Sequence, residues 1–345
     1  MSIPPLPEAA RRTLGYHGGD LASARRLFPD APQPWIDLST GVNPHPYPIP
    51  EISSEAWTRL PDPSAIARLE AVAAARYRVR AHAHVVAAPG SQAIIQALAR
   101  LLPARRVGVL GATYPGHARA WSADVVRVER IEQLVDYDVA VVVNPNNPDG
   151  RIVASATLRD LAAGMTGRTL IVDEAFADFD AADQSLAPGL PERGVIVLRS
   201  FGKTYGLAGL RLGFAIAPPD LAASLRAALG PWAVSGPAIE IGLRALPDEA
   251  WFEAARTRVM GDAERLDRLL MATGWTVIGG TTLFRLGSRA DADERFAALL
   301  RAGLLTRPFE EAPDRLRFGL PANEEAWERL TKALDGSVSS GARNL

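Results

Sequence analysis

Between residues 106 and 200 the chain returns again and again to short, continuous runs of branched aliphatic residues. They read RVGVL, DVVRV, VAVVVNP, TLIVDEAF and VIVLRSF. Continuous apolar runs of this length suit strands buried on both faces. Helical stretches between them, such as Ser155 to Ala163, supply covering layers. The alternation predicts βα units around a mostly parallel sheet, an α/β architecture. HVVAAPGSQAIIQALARLL enters the series as strand, turn and helix, and LGFAIAPP closes it as a last strand.

The flanks read differently. The first 50 residues are proline-rich, and GVNPHPYPIP suits neither a helix nor a central strand, because proline lacks an amide donor and restricts its predecessor. An ordered arm or loop is expected there, followed by a helix over Ser64 to Tyr77. Beyond Pro218 come helical stretches at Leu221–Leu229 and Asp248–Thr273. A smaller α+β part follows, with strands expected at Leu283–Leu286 and Arg315–Phe318 and helices at Asp291–Ala302 and Glu324–Leu334. The expected division is an arm over 1–50 packing with the small domain, a large α/β domain over 51–220, and a C-terminal α+β domain over 221–345. The small, polar tail GSVSSGARNL is expected to be mobile.

Composition excludes several function classes. With 345 residues, 48% of them hydrophobic, the chain has material for a large core. A formal net charge of -1 gives no footprint for nucleic acid or an anionic membrane. No apolar run approaches the ~20 residues that span a bilayer, and the first residues lack the apolar core of a secretory signal. The chain has no cysteine, so thiolate catalysis, disulfides and Cys-type zinc sites are out. His82 and His84 stand two apart without a matching carboxylate motif, so no metal site is expected. A cytoplasmic enzyme is the expectation.

Gly202, Lys203 and Thr204 read like the end of a nucleotide-binding P-loop. That motif needs a glycine five positions before Gly202, where Val197 stands inside an apparent strand. The alternative is a lysine that forms a Schiff base. Lys203 follows VIVLRSFG, just beyond an expected C-terminal strand edge, where open α/β sheets bind ligands. Ser200 lies three residues before it and Arg211 eight after. A hydroxyl and a guanidinium there can clamp a phosphate while the amine stays available for carbonyl chemistry.

The segment SFGKTYGLAGLRLGF resembles the lysine segment of fold type I pyridoxal-phosphate enzymes, the aspartate-aminotransferase superfamily. Four further stretches resemble the same superfamily in the same order, and APGSQAIIQAL heads the series with a glycine turn opening onto a helix N-terminus at Gly90, Ser91 and Gln92. Free amides and the helix dipole there favour a phosphate. In GATYPGHARA the resemblance implies that Tyr114 stacks on the cofactor ring and that His117 sits behind it. In VVVNPNNPDG it implies that Asn147 bonds the cofactor's phenolic oxygen, with Asp149 where the superfamily usually has Thr. In IVDEAFADF it implies that Asp173 pairs with the pyridine nitrogen. The superfamily's frequent Tyr three residues later is Phe176 here, so that bond is absent. Lys203 is then the residue that holds the cofactor covalently, with Ser91, Gln92, Ser200 and Arg211 around its phosphate.

Arg317, in RLRFGL, resembles the superfamily arginine that grips the substrate carboxylate. YHGGDLASARRLFPDAPQPWIDLSTGVNP, RLPDPSA, NPNNPDGR and LGPWAVSGPA are similar to the threonine-phosphate decarboxylases of cobalamin biosynthesis. That resemblance implies decarboxylation of a phosphorylated amino acid, L-threonine O-3-phosphate, to (R)-1-amino-2-propanol O-2-phosphate in a homodimer. A second phosphate must then be held, and His17, Gly18, Gly19, Asn147, Arg307 and Arg317 are the expected substrate contacts. The nearest rival is histidinol-phosphate aminotransferase, which usually has tyrosine before Pro-Asp-Pro; here Leu60 precedes Pro61, Asp62 and Pro63. A non-catalytic scaffold of the same fold is a further alternative, set against by the presence of both Lys203 and Asp173.

Overall fold

The computed structural model describes residues 13–14, 18–81, 84–190 and 194–335. It divides into two compact units, one of Pro46–Ala255 and one of Met1–His45 with Arg256–Leu345. In chain order the strands are β1 (Ile36–Asp37), β2 (Val85–Ala88), β3 (Arg106–Leu110), β4 (Asp124–Val128), β5 (Val139–Val143), β6 (Thr169–Asp173) and β7 (Val195–Ser200). They continue as β8 (Gly213–Ile216), β9 (Thr276–Thr281), β10 (Phe284–Ser288), β11 (Leu304–Leu305), β12 (Arg307–Pro308) and β13 (Arg315–Gly319). No helix among the described residues is long and apolar enough to cross a membrane.

The unit of Pro46–Ala255 is built on a seven-stranded sheet in the order β2-β8-β7-β6-β5-β3-β4. β8 runs antiparallel to both β2 and β7, and the remaining pairings are parallel. The aliphatic runs are continuous because the sheet has a core on each side. Ala140, Val142, Leu170, Val172, Val195 and Val197 face one core. Val139, Val141, Ile171, Ile196 and Leu198 face the other. Each fully buried aliphatic side chain contributes roughly 1.5–3 kcal/mol, so neither face of a central strand tolerates a polar residue without a partner.

Helices cover both faces. Pro63–Arg76 starts with Asp62 accepting from the Ser64 amide and proline in its first turn, the favoured arrangement at a helix start. Pro219–Leu229 packs on Ser91–Leu101, and Gly236–Ala245 packs on Pro63–Arg76. This unit therefore extends to Ala255 rather than ending near 220. The Gly236–Ala245 helix is absent from the sequence expectation because Gly-Pro reads as a breaker. Here Gly236 and Pro237 occupy its first turn, and the Ser235 side chain accepts from the Ala238 amide.

In the other unit β1 pairs in parallel with β11, and β12, β13, β10 and β9 form an antiparallel sheet. Helices Ala292–Arg301 and Glu324–Leu334 pack on each other. Phe284, Phe296 and Phe318 fill its interior. The tail from 336 onward lies outside the described residues.

Candidate functional site

Six strands of the large sheet run the same way and end on one edge, and most sequence-selected residues follow five of those ends. Gly90 to Gln92 follow β2, Tyr114 and His117 follow β3, Asn147 follows β5, Asp173 ends β6, and Ser200 and Lys203 follow or end β7. The reversed strand β8 begins on the same edge and brings Arg211 with it. Carboxyl ends of strands are where open α/β sheets bind ligands.

Gly90 caps the helix Ser91–Leu101 at φ 88, a left-handed conformation that side chains resist. A Cβ on Gly90 would stand 2.7 Å from Arg211 Nη2, so the guanidinium leans over the bare backbone at a helix N-terminus. Arg211 itself is left-handed, at φ 56, a strained backbone of the kind that gathers at ligand sites. β8 approaches closely as well: a Cβ on Gly213 would stand 2.6 Å from the Ser91 amide. Amides, helix dipole and guanidinium together make a cradle for an anion.

Tyr114 Oη donates to Gln92 Oε1 at 2.8 Å. Its ring folds over Gly116, where a Cβ would meet Cε1 at 2.3 Å. That glycine fixes the ring's height and was not singled out by sequence; only its place two residues after Tyr114 hints at it. The His117 ring stands edge-on to Tyr114 with centroids 6.1 Å apart. His117 Nε2 lies 2.8 Å from Asp173 Oδ2, both residues being buried. The Ala175 amide donates to Asp173 Oδ1 at 3.1 Å. A carboxylate held by two donors out of solvent keeps its shape and aim.

The asparagine turn after β5 is fastened by its neighbours. Asn144 exchanges two bonds with the Val153 backbone. Asn146 accepts from Thr113 Oγ1 at 2.6 Å and donates to Asp149 Oδ1 at 2.8 Å. Asp149 thus serves the turn in the position where the resemblance has threonine, and Asn147 is buried beside it. Lys203 sits on the short helix Phe201–Thr204. Its Nζ lies 4.7 Å from the Phe176 ring centroid, so the amine meets a π-face at the residue where the resemblance implies a tyrosine. Val197, where a P-loop needs glycine, is fully buried in β7. His84 Nδ1 lies 2.9 Å from the Ala217 carbonyl oxygen, and His82 lies outside the described residues.

Beneath this edge lies a polar cluster that sequence reasoning missed. Arg199 bridges Glu174 Oε2 at 3.1 Å and Asp178 Oδ1 at 3.0 Å. Burial pushes the Glu174 carboxyl up, with Arg199, Ser185 and the Leu186 amide acting the other way. The signal was an arginine inside VIVLRS, since a charge in a two-faced strand demands a partner.

The unit of Met1–His45 and Arg256–Leu345 holds the remaining candidates. Arg307 and Arg317 are opposite one another in the β12–β13 register, and both are buried. Arg317 Nη2 donates to the Ser39 carbonyl at 2.5 Å, and its guanidinium lies 4.9 Å from the Phe284 ring centroid. Burial, then Arg307, hold the Arg317 guanidinium well below its usual value, while Asp37 acts against them. Like charges directly opposite repel, and an anion beside them would relieve that repulsion. Gly18 and Gly19 adjoin the same loop: the Gly19 amide donates to Ser39 Oγ at 2.7 Å, and Ser39 Oγ donates to Asp37 Oδ1 at 2.5 Å. His17 lies outside the described residues.

An anion cradle, a buried carboxylate and a primary amine on one sheet edge define a site for a phosphate-bearing cofactor. The chain belongs to the aminotransferase class I and II family, whose model matches residues 33–334. It is 44% identical to the threonine-phosphate decarboxylase of Pseudomonas aeruginosa, over 93% of this chain and 97% of that protein. It is 39% identical to a threonine-phosphate decarboxylase of a Sinorhizobium species, over 92% of this chain and 97% of that protein. Its fold is similar to the histidinol-phosphate aminotransferase of Sinorhizobium meliloti in complex with pyridoxal-5'-phosphate. That likeness has a TM-score of 0.80 at 19% identity and covers 93% of this chain and 95% of the other.

Proposed function

We propose that this protein uses pyridoxal 5'-phosphate to decarboxylate L-threonine O-3-phosphate, releasing carbon dioxide and (R)-1-amino-2-propanol O-2-phosphate for the aminopropanol linker of cobalamin. The full-length likeness to two threonine-phosphate decarboxylases supports the substrate. That likeness, over 93% and 92% of this chain, is the observation that carries the reading.

The described residues fit the cofactor. Gly90, Ser91, Gln92, Ser200 and Arg211 would take its phosphate, the bare Gly90 backbone leaving the room that a Cβ would fill. Tyr114, His117, Asn147 and Asp173 would hold its ring, and Lys203 would attach it. When bound, the cofactor supplies a conjugated ring that takes up the electron pair left as the carboxylate departs. The buried Asp173 carboxylate would favour a proton on the ring nitrogen by opposite charge. His117 fixes that carboxylate's orientation. Arg307 and Arg317, both buried, would be the cationic groups for the substrate's anions, with Gly18 and Gly19 in the same unit. The Lys203 amine would be the group to carry a proton to the carbon that loses the carboxylate. Phe176 offers that amine no hydroxyl.

Carbon dioxide release from threonine phosphate, compared with serine phosphate and free threonine, tests the reading. Amino transfer from histidinol phosphate to 2-oxoglutarate, with no carbon dioxide from threonine phosphate, overturns it in favour of an aminotransferase. The same reading carries a cytoplasmic homodimer, which light scattering after size exclusion and fractionation of cells test.

A further inference from the structure

Three residues of the proposed site have sequence neighbours that meet beneath it. Asp173 is followed by Glu174, Ser200 is preceded by Arg199, and Lys203 is followed by Thr204. Extended chain sends successive side chains to opposite faces. Val195 and Val197 share one core face while Ile196 and Leu198 share the other, so Arg199 points opposite to Ser200. Leu170 and Val172 likewise place Glu174 opposite to Asp173. The underside groups are joined rather than merely close.

Arg199 Nη2 reaches Glu174 Oε2 at 3.1 Å and Ser185 Oγ at 2.9 Å. Ser185 Oγ donates to Glu174 Oε2 at 2.6 Å, and the Leu186 amide donates to Glu174 Oε1 at 2.9 Å. Arg199 Nη1 donates to Asp178 Oδ1 at 3.0 Å, and Thr204 Oγ1 donates to Asp178 Oδ2 at 2.5 Å. The Arg199 guanidinium also lies 4.8 Å from the Tyr77 ring centroid. Arg199, Glu174, Ser185 and Thr204 are all buried. Asp178 is thus fastened on one side to the strand that carries Ser200 and on the other to the helix that carries Lys203. It also sits two residues after Phe176, whose ring meets Lys203 Nζ.

We infer that Asp178 is a positioning residue: by joining Thr204 to Arg199 it sets where Lys203 Nζ stands against the Phe176 face. The inference rests on the reading that Lys203 and Asp173 serve the cofactor. A buried charged network with every oxygen of Asp178 engaged is costly to assemble, and plain strand burial at these positions is met by aliphatic residues elsewhere in the same sheet. Small displacements of a reacting group carry large rate costs, so this is where such a network has effect.

The test uses Thr204→Val, which keeps the shape and removes the hydroxyl, with Thr204→Ser as the conservative variant and Asp178→Asn as a second probe. The holoenzyme is titrated with acid and base while the visible absorbance of the bound cofactor is followed, and cofactor uptake by the apoprotein is timed. For Thr204→Val the expected results are a shifted absorbance midpoint, slower uptake, and kcat lowered about 10-fold with KM within about twofold. Thr204→Ser is expected to restore all three. A Thr204→Val protein whose melting temperature falls while midpoint, uptake and kcat stay at wild-type values overturns the inference. If the wild type releases no carbon dioxide, the functional reading fails, and the midpoint and uptake still decide the role of Asp178. Should Asp178→Asn not fold, Thr204→Val alone decides it.

Discussion

His117 Nε2 and Asp173 Oδ2 stand 2.8 Å apart, with the two side chains 1% and 6% exposed. The imidazole therefore works on the carboxylate and has little access to anything in solvent. Asp173→Asn keeps the shape and removes the charge that would hold a ring proton. Its kcat/KM for carbon dioxide release is expected to fall about 10²–10³-fold, the scale of losing one preorganised electrostatic group. His117→Ala leaves the charge and removes its orienting partner, and should cost less. Steady-state kinetics with circular dichroism as the fold control checks the order of the two.

Gly90→Ala puts a Cβ against the Arg211 guanidinium and into left-handed backbone. The backbone part alone costs roughly 1–2 kcal/mol. The expected outcome is a protein that folds, melts a few degrees lower and binds pyridoxal phosphate at least about 10-fold more weakly. Equilibrium dialysis of the apoprotein measures this.

The Arg307–Arg317 pair gives a prediction readable without turnover. A ligand that binds only the folded state raises the melting temperature. Inorganic phosphate and threonine phosphate should therefore stabilise the wild type, and Arg317→Ala should lose most of that effect. With substrate, Arg317→Ala is expected to raise KM about 30-fold or more, the scale of truncating one partner of a buried charged contact. Arg317→Lys should recover little of it, because a point charge does not reproduce a planar fork.

Asp291 supplies a pH dependence. Burial acts to raise its pKa, but hydrogen bonds from Arg289 and Arg295 and their charges outweigh it and hold the carboxyl below the usual aspartate range. A depressed carboxylate stabilises the fold above its unfolded pKa and loses that contribution as pH falls through the folded value. Asp291→Asn should thus melt below the wild type near neutrality, with the gap closing below about pH 4. The gap corresponds to no more than about 1 kcal/mol, because the pair is partly solvated. Calorimetry across that range checks both sign and window.

Much of the large sheet was legible because burial on both faces leaves a pattern that survives without tertiary knowledge. RVGVL, DVVRV and VAVVV are strands from first residue to last. The missing pieces carry no such pattern: β1, β11 and β12 are two residues each, and β9 includes two glycines in TVIGGT. In the site, the residues named from strand ends meet on one edge because chain order and strand order constrain each other. Contacts across elements were not legible. The Phe176 face beneath Lys203 and the Tyr114 ring over Gly116 depend on how loops fold back. Arg199 announced only that it needed a partner, not that Asp178 and Thr204 would share it.

β2 comes first among the strands of its sheet and is bonded there only to β8, which comes last. A growing chain can assemble β3 to β7 by local βα pairings while β2 waits for residues 213–216 to arrive. Long-range closure of this kind is the slow part of folding. Gly90, at the end of β2, and Arg211, just before β8, meet only when that closure is made. Cofactor uptake during refolding is therefore expected to wait for the β2–β8 pairing, and to report when that edge of the sheet closes.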